Sequence, residues 1–323
     1  MNAIGGYLEL ELQNGGHHYH DTPYKMKSGR AALRYMFTIA KPALVYVPYY
    51  ICNSVLEPFE VTNTRYKFYE IDETFGPKTM PELEEGEYFL YVNYLDLKRE
   101  TIAQLSKKYK DKLIVDCTHS FFMKGNGVSW FFNSCRKFFG VPDGAYLYIP
   151  NEAALEVVEN KNEHYIVDHL IKRFNGHPGD GYNYFQENEV LLDSGIMAMS
   201  KLSEYLLSGV DYDEVIERRR TNYAFVHERV KHVNVYDATP TGDNVSIFYP
   251  LLLDRIIDRN QLAKQGIFIS QFWKEALQQA DIEGFELEKG LVNLLWPLPI
   301  DQRYSPEDMN HMISAILELI NKN

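Results

Sequence analysis

Two charged side chains stand where a sheet-based fold would aim chemistry at a ligand. Asp116 closes the apolar run LIVD at 113–116, and Lys137 follows the strand-like SWFF at 129–132 on the short segment NSCRK, with Ser134 three positions ahead of it. Open α/β sheets collect ligand groups beyond the carboxyl ends of their strands. A lysine there is useful when its amine condenses with an aldehyde, because a substrate amine can displace it and leave a free base beside the reacting carbon. A carboxylate complements it by holding a ring nitrogen in its protonated, electron-accepting form. By residue type alone the plainer alternatives stand beside these. Asp116 could cap a strand end, Lys137 could be a solvated lysine, Ser134 could cap a turn, and Gly29 could relieve a tight bend. The spacing supplies a candidate pocket and leaves its ligand unnamed.

The elements needed to position these groups are legible as a helix–strand alternation. Ser28 precedes GRAALRYMF, whose Ala32, Leu33 and Met36 share one helical face, so a helix is expected with Ser28 near its start. ALVYVP at 43–48 reads as a buried strand and YICNSVLEPF as the next helix, with further strands at 65–71 and 88–92. The amphipathic RETIAQLSKKYK at 99–110 leads into LIVD, and AYLYIP at 145–150 completes the set. Such alternation favours an α/β domain with a mostly parallel sheet. A short strand is expected at 7–12 and an ordered surface loop over FNGHPGDGYNYFQEN, followed by long helices at 190–207 and 212–232. A smaller domain is expected from residue 209, giving units 1–208 and 209–323, with strands near 246–250 and 291–295. Its closing helix begins at Ser305, with Asp308 placed for a reciprocal cap.

Lys and Arg number 33 against 45 Asp and Glu, a net charge of -12, which disfavours a general nucleic-acid or anionic-membrane surface while permitting a local basic pocket. The cysteines at 52, 117 and 135 are too few for a disulfide scaffold and lack the partners of a zinc site, so no metal is expected. The N-terminus carries no leader-like pattern and no apolar run is long enough to span a bilayer, so a cytoplasmic protein is expected.

SGRAAL at 28–33, VDCTHS at 115–120 and SCRK at 134–137 together resemble the sugar-aminotransferase family of fold-type I pyridoxal-phosphate enzymes (DegT/DnrJ/EryC1/StrS-like). GYNY at 181–184 and LPIDQRYSPEDMNHMISAI at 298–316 extend the match over nearly the whole chain, leaving out the N-terminal strand region and residues 150–175. The resemblance implies a mostly parallel-sheet large domain and a smaller C-terminal α/β domain, with pyridoxal 5'-phosphate (PLP) held as a Schiff base by Lys137 and its pyridine nitrogen held by Asp116. It implies that Ser28 and the backbone amides around Gly29 and Arg30 cradle the phosphate at a helix start. The Arg30 guanidinium is open to three roles: a phosphate contact, solvent, or an acidic partner. Ser134 is implied as a side-chain phosphate donor, and His119 as the group against the cofactor ring or its phenolic oxygen. Asn183 would reach the phosphate of the neighbouring subunit in a homodimer. Arg136 is adjacent to Lys137 without being assigned to the pocket.

The implied reaction moves an amino group from a small amine donor, glutamate being a candidate, to a keto-sugar or related small keto acceptor. A PLP-dependent lyase or dehydratase is the alternative enzyme, and a catalytically degenerate PLP-fold binding protein the alternative outside catalysis. Arg30 stands where family members usually carry a small hydroxyl residue, and the chain departs from the family pattern in three further places. Phe185 stands where an arginine commonly follows GYNY, the interval from Asp116 to Lys137 is compact, and the turn after Lys137 reads FFGVPDGA. The aromatic that stacks on the ring is open among VPYYICNS, where Cys52 falls at the stacking position with Tyr49 and Tyr50 beside it.

Overall fold

The apolar runs pair into one large sheet. The computed structural model describes residues 6–8, 10–12, 16–150, 156–277 and 283–322. Among these residues, β1 (Lys25–Met26), β2 (Leu44–Pro48), β3 (Arg65–Tyr69), β4 (Glu87–Val92), β5 (Leu113–Asp116), β6 (Trp130–Phe132) and β7 (Ala145–Tyr148) lie in the order β1-β7-β6-β5-β4-β2-β3. The block β3-β2-β4-β5-β6 is parallel. β7 runs antiparallel to β6, and β1 antiparallel to β7. β1 therefore points the same way as the parallel block, and six strands deliver their carboxyl ends to one edge. β5 is buried at every position, as expected of a central parallel strand covered on both faces.

Helices α1 (Gly29–Ala40), α2 (Glu57–Thr62) and α3 (Arg99–Tyr109) connect these strands. Ser28 caps α1 by accepting the Ala31 N–H, and the buried stripe Ala32, Leu33 and Met36 faces the core. The helix stops at Lys41 in the left-handed region, where Pro42 forbids another turn. The helix expected over 50–59 is a short 3-10 turn at Asn53–Val55 followed by α2.

The rest of the chain forms α4 (Asp168–Phe174), α5 (Tyr182–Leu191), α6 (Lys201–Ser208), α7 (Tyr212–Val230), β8 (Phe248–Leu252), α8 (Glu286–Leu294), β9 (Leu295–Pro299) and α9 (Pro306–Lys322). β8 and β9 pair antiparallel, and Tyr249 and Trp296 from them pack with Val226 of α7 and Ile316 of α9 into a second core. A third cluster joins Phe121, which follows β5, and Phe138, which follows β6, to Tyr212, Val215 and Ile247. The cap of α9 is reciprocal: the Ser305 N–H donates to Asp308 Oδ2 at 2.8 Å and the Asp308 N–H to Ser305 Oγ at 3.2 Å. No helix among the described residues is long and apolar enough to cross a membrane.

Four expectations are corrected. None of residues 6–8 and 10–12 lies in a strand, and Glu9 lies outside the described residues; Tyr7 and Leu8 are exposed with no sheet to cover. The passage taken as a loop contains the start of α5, because the turn at 177–181 reverses the chain and Phe185 packs on His169 of α4. A single helix over 190–207 does not form. The Asp193 carboxylate accepts the Gly195 N–H and pairs with Lys27, while the Ser194 N–H goes to Glu57 Oε1, and these bonds hold the chain in a non-helical bend between α5 and α6. Residues 291–294 belong to α8, and the strand comes later, at Leu295–Pro299. Its prolines are tolerated because in a two-stranded sheet each strand keeps an unpaired edge.

Candidate active site

β5 lies between β4 and β6, so Asp116, its last residue, is level with Val92 and Phe132. The carboxyl is 4% exposed, and its Oδ1 accepts the Thr118 N–H at 2.8 Å. Burial pushes its pKa up to about 6, and the hydrogen bonds from Thr118 and the charge of Lys137 keep it from rising further. It is therefore ionised at neutral pH and well suited to take a cationic partner. His119, next on the same turn, is buried with no hydrogen-bond partner at Nδ1. Burial, reinforced by the Lys137 charge, lowers its pKa to about 3, so the imidazole is neutral. Its ring lies parallel to Trp273, 5.4 Å away at 6°, and against Phe272 at 5.2 Å.

Lys137 ends the 3-10 turn Cys135–Lys137 that follows β6, and its side chain is exposed to the cleft. The turn is anchored on both sides. Cys135 is fully buried, and a Cβ at Gly144, which has φ +117°, would come within 3.1 Å of its sulfur, so glycine permits that approach. The next carbonyl, of Phe138, accepts from Gln302 Nε2 at 3.0 Å, and the Arg219 guanidinium of α7 lies 4.5 Å from the Phe138 ring. The C-terminal part of the chain thus braces the backbone that carries Lys137.

A cleft opens to solvent beside this turn. Ser28, Gly29 and Arg30 line one side, where α1 begins, and Ser134, Arg136 and Lys137 line another. A Cβ at Gly29 would stand 3.2 Å from the Asn133 carbonyl oxygen and 3.4 Å from the Phe132 ring, so the missing side chain lets the helix start sit tight against the end of β6. The Ser28 hydroxyl is engaged in capping and donates to the Asp193 carbonyl at 3.3 Å. Arg30 has the acidic partner left open by the sequence: Nη1 donates to Glu57 at 2.9 Å and Nη2 to the Glu189 carbonyl at 3.0 Å. Arg136 pairs with the Glu189 carboxylate, and its guanidinium lies 5.5 Å from the Phe185 ring.

No protein-family model and no curated protein sequence matches the chain. Solved structures do. The sugar aminotransferase CalS13 from Micromonospora echinospora superposes with a TM-score of 0.60 at 14% identity, over 91% of this chain and 86% of that one. DesV from S. venezuelae, solved in complex with a ketimine intermediate, gives 0.60 at 15% identity over 91% and 84%. Spr1654 from Streptococcus pneumoniae, assigned as a sugar aminotransferase and solved in a PLP form, gives 0.61 at 14% over 93% and 87%. The chain shares the fold of these solved structures.

Within this fold Asp116, His119, Ser134 and Lys137 gather with the Ser28–Arg30 turn at one sheet edge. Asn183 does not join them. It is exposed on the first turn of α5. Of the ring-stacking candidates, Tyr49 is core, donating to the Ala276 carbonyl at 2.8 Å and stacked on Phe285. Tyr50 is fully buried against Trp273, and Cys52 is half-buried beside Ser54 Oγ at 3.1 Å. Sequence pattern alone offers no grounds for assigning Thr118, Ser54 or Glu189 to the cleft, and it leaves Arg136 unassigned. Thr118 was signalled only by its place two residues after the strand-end carboxylate. The others come from elements whose packing is not local.

Proposed function

We propose that this protein is a PLP-dependent aminotransferase acting on a keto-sugar or related small keto compound. The observation that carries this proposal is a buried strand-end carboxylate, Asp116, whose nearby cation is Lys137, the lysine facing the helix-start cleft. The residues present fit the cofactor. Gly29 leaves room for close backbone approach at an anion-favouring helix start, and His119 Nδ1 and Arg136 Nε are buried polar atoms without partners. Asp116, Ser134, Lys137 and the Ser28–Arg30 turn would hold it.

When bound, PLP supplies an aldehyde that condenses with amines and a ring that draws electrons from the substrate carbon. Asp116, ionised above about pH 6, would keep the ring nitrogen protonated. Lys137 Nζ, which faces the cleft, would hold the aldehyde and, once released by a donor amine, would be the base nearest the donor's α-carbon. His119, neutral and fixed by its stack on Trp273, would offer its unpartnered Nδ1 to a polar atom of the cofactor. Preorganised groups of this kind lower the barrier because they need no rearrangement as charge develops.

The proposal includes a homodimer in which Asn183 completes the partner's phosphate site. Asn183 lies on α5, which with α4 exposes Phe174 at 89%, Tyr182 at 59% and Val190 at 78%, the kind of apolar surface that a second copy would cover. It also includes the division into domains at residue 209 and a cytoplasmic setting, with which the three free cysteines accord. The test is the first half-reaction. PLP-loaded protein is surveyed against amine donors for a keto product and bound pyridoxamine phosphate, and keto-sugars are then tried for regeneration of PLP. Elimination without amino transfer would select the lyase instead, and binding with neither chemistry would leave a degenerate binder.

A further inference from the structure

The two guanidiniums lining the cleft are not equivalent. Both Arg30 Nη groups are spent, on Glu57 and on the Glu189 carbonyl. Arg136 is different. Its side chain is 9% exposed, its Nε is buried without a hydrogen-bond partner, and the anion facing it is the Glu189 carboxylate, which is 37% exposed at the cleft wall. A guanidinium cannot shed its charge, and an unmet donor on a buried one is costly until an acceptor arrives. Burial alone would raise the Glu189 pKa, but Arg136, Lys137 and Arg30 together hold it low, so the pair is charged. One carboxylate offers fewer acceptors than a phosphomonoester, whose dianion presents three terminal oxygens suited to a guanidinium fork. The Ser28–Gly29 helix start and Ser134 border the same space.

We propose that Arg136 is the guanidinium that grips a phosphomonoester in this cleft, and that Glu189 is its placeholder counter-ion, displaced when the phosphate enters. This deepens the aminotransferase reading and rests on it for the identity of the phosphate, which belongs either to the cofactor or to a phosphorylated small molecule. The role of Phe185 follows: it supplies a flat face against which the Arg136 plane is held.

The test measures binding of inorganic phosphate and of PLP, separately, to the full chain and to Arg136→Gln, Arg136→Lys, Glu189→Gln and the double variant. Arg136→Gln is expected to weaken both ligands about tenfold or more, and Arg136→Lys to recover part of that loss. Glu189→Gln is expected to tighten both by roughly threefold or more, a gain that disappears in the double variant. Arg136→Gln and Glu189→Gln each break this part-buried pair and lower the melting temperature, so a purely structural role would weaken binding in both. Opposite effects on ligand exclude that role. Wild-type phosphate and PLP affinity in Arg136→Gln, weakened binding in Glu189→Gln, or no binding of either ligand to the wild type would overturn the proposal. The two levels separate cleanly. Phosphate binding that follows Arg136 and Glu189 without PLP becoming attached to Lys137 would uphold this site and remove the aminotransferase reading. Normal PLP attachment in Arg136→Gln at unchanged affinity would do the reverse.

Discussion

Asp116→Asn is expected to make the cofactor-free protein more stable and a poorer holder of PLP. The carboxyl is moved from its ordinary 3.8 to about 6, chiefly by burial, and at 1.36 kcal/mol per pH unit its ionised form is disfavoured in the folded chain by about 3 kcal/mol. Asparagine keeps an oxygen for the Thr118 N–H and removes the buried charge. Because the folded pKa is raised, the cost is fully present above about pH 6, shrinks as pH falls from 6 to 4, and is absent below 4. Urea unfolding of both proteins at pH 8, 6 and 4, followed by tryptophan fluorescence, should show the variant ahead by up to about 3 kcal/mol at pH 8 and level at pH 4. The same variant loses the carboxylate proposed to pair with the ring nitrogen, so PLP affinity at pH 8 should drop about tenfold or more. A variant less stable than wild type at pH 8 would mean that Thr118 and Lys137 outweigh burial. Unchanged PLP affinity would mean that the carboxylate does not face the ring.

Replacing His119 with asparagine removes a group whose folded pKa is about 3, well below its ordinary 6.5. The stability that its neutral form carries is complete above pH 6.5 and is lost as pH falls, so wild type should lose about 2 kcal/mol more than the variant between pH 7 and pH 5 in denaturant titrations. Gly29→Val places methyl groups against the Asn133 carbonyl and Phe132, and should cost roughly 1–3 kcal/mol of stability and loosen PLP retention, read by unfolding and by cofactor loss on dialysis. Phe174→Asp should shift the protein toward monomer in sedimentation velocity, and mixing Asn183→Ala with a Lys137→Ala chain should restore partial activity if Asn183 serves the opposite subunit. Activity of the mixture no higher than that of its parts would defeat that role.

The sequence was most readable where local pattern and tertiary demand agreed. LIVD reads as a buried strand because it is one on both faces, Ser28 reads as a cap because its hydroxyl does cap α1, and Ser305 with Asp308 forms the reciprocal bond its spacing suggests. It failed where distant groups decide. The break between α5 and α6 depends on Lys27 and Glu57, far away in the chain, and no window around Asp193 contains them. The prolines of β9 argue against a strand unless one knows that its sheet has only two members. Arg136 looked like any residue beside a lysine, because its partner Glu189 and its platform Phe185 arrive on a helix that the Gly- and Asn-rich passage disguised as a loop.

Lys137 is the residue proposed to bond the cofactor. Borohydride reduction of PLP-loaded protein, followed by proteolysis and peptide mass analysis, tests it directly. The expected result is the reduced cofactor on the peptide containing Lys137, and its loss in Lys137→Ala while the fold persists. Reduced cofactor on another lysine only, or on none after a demonstrated PLP load, would contradict it.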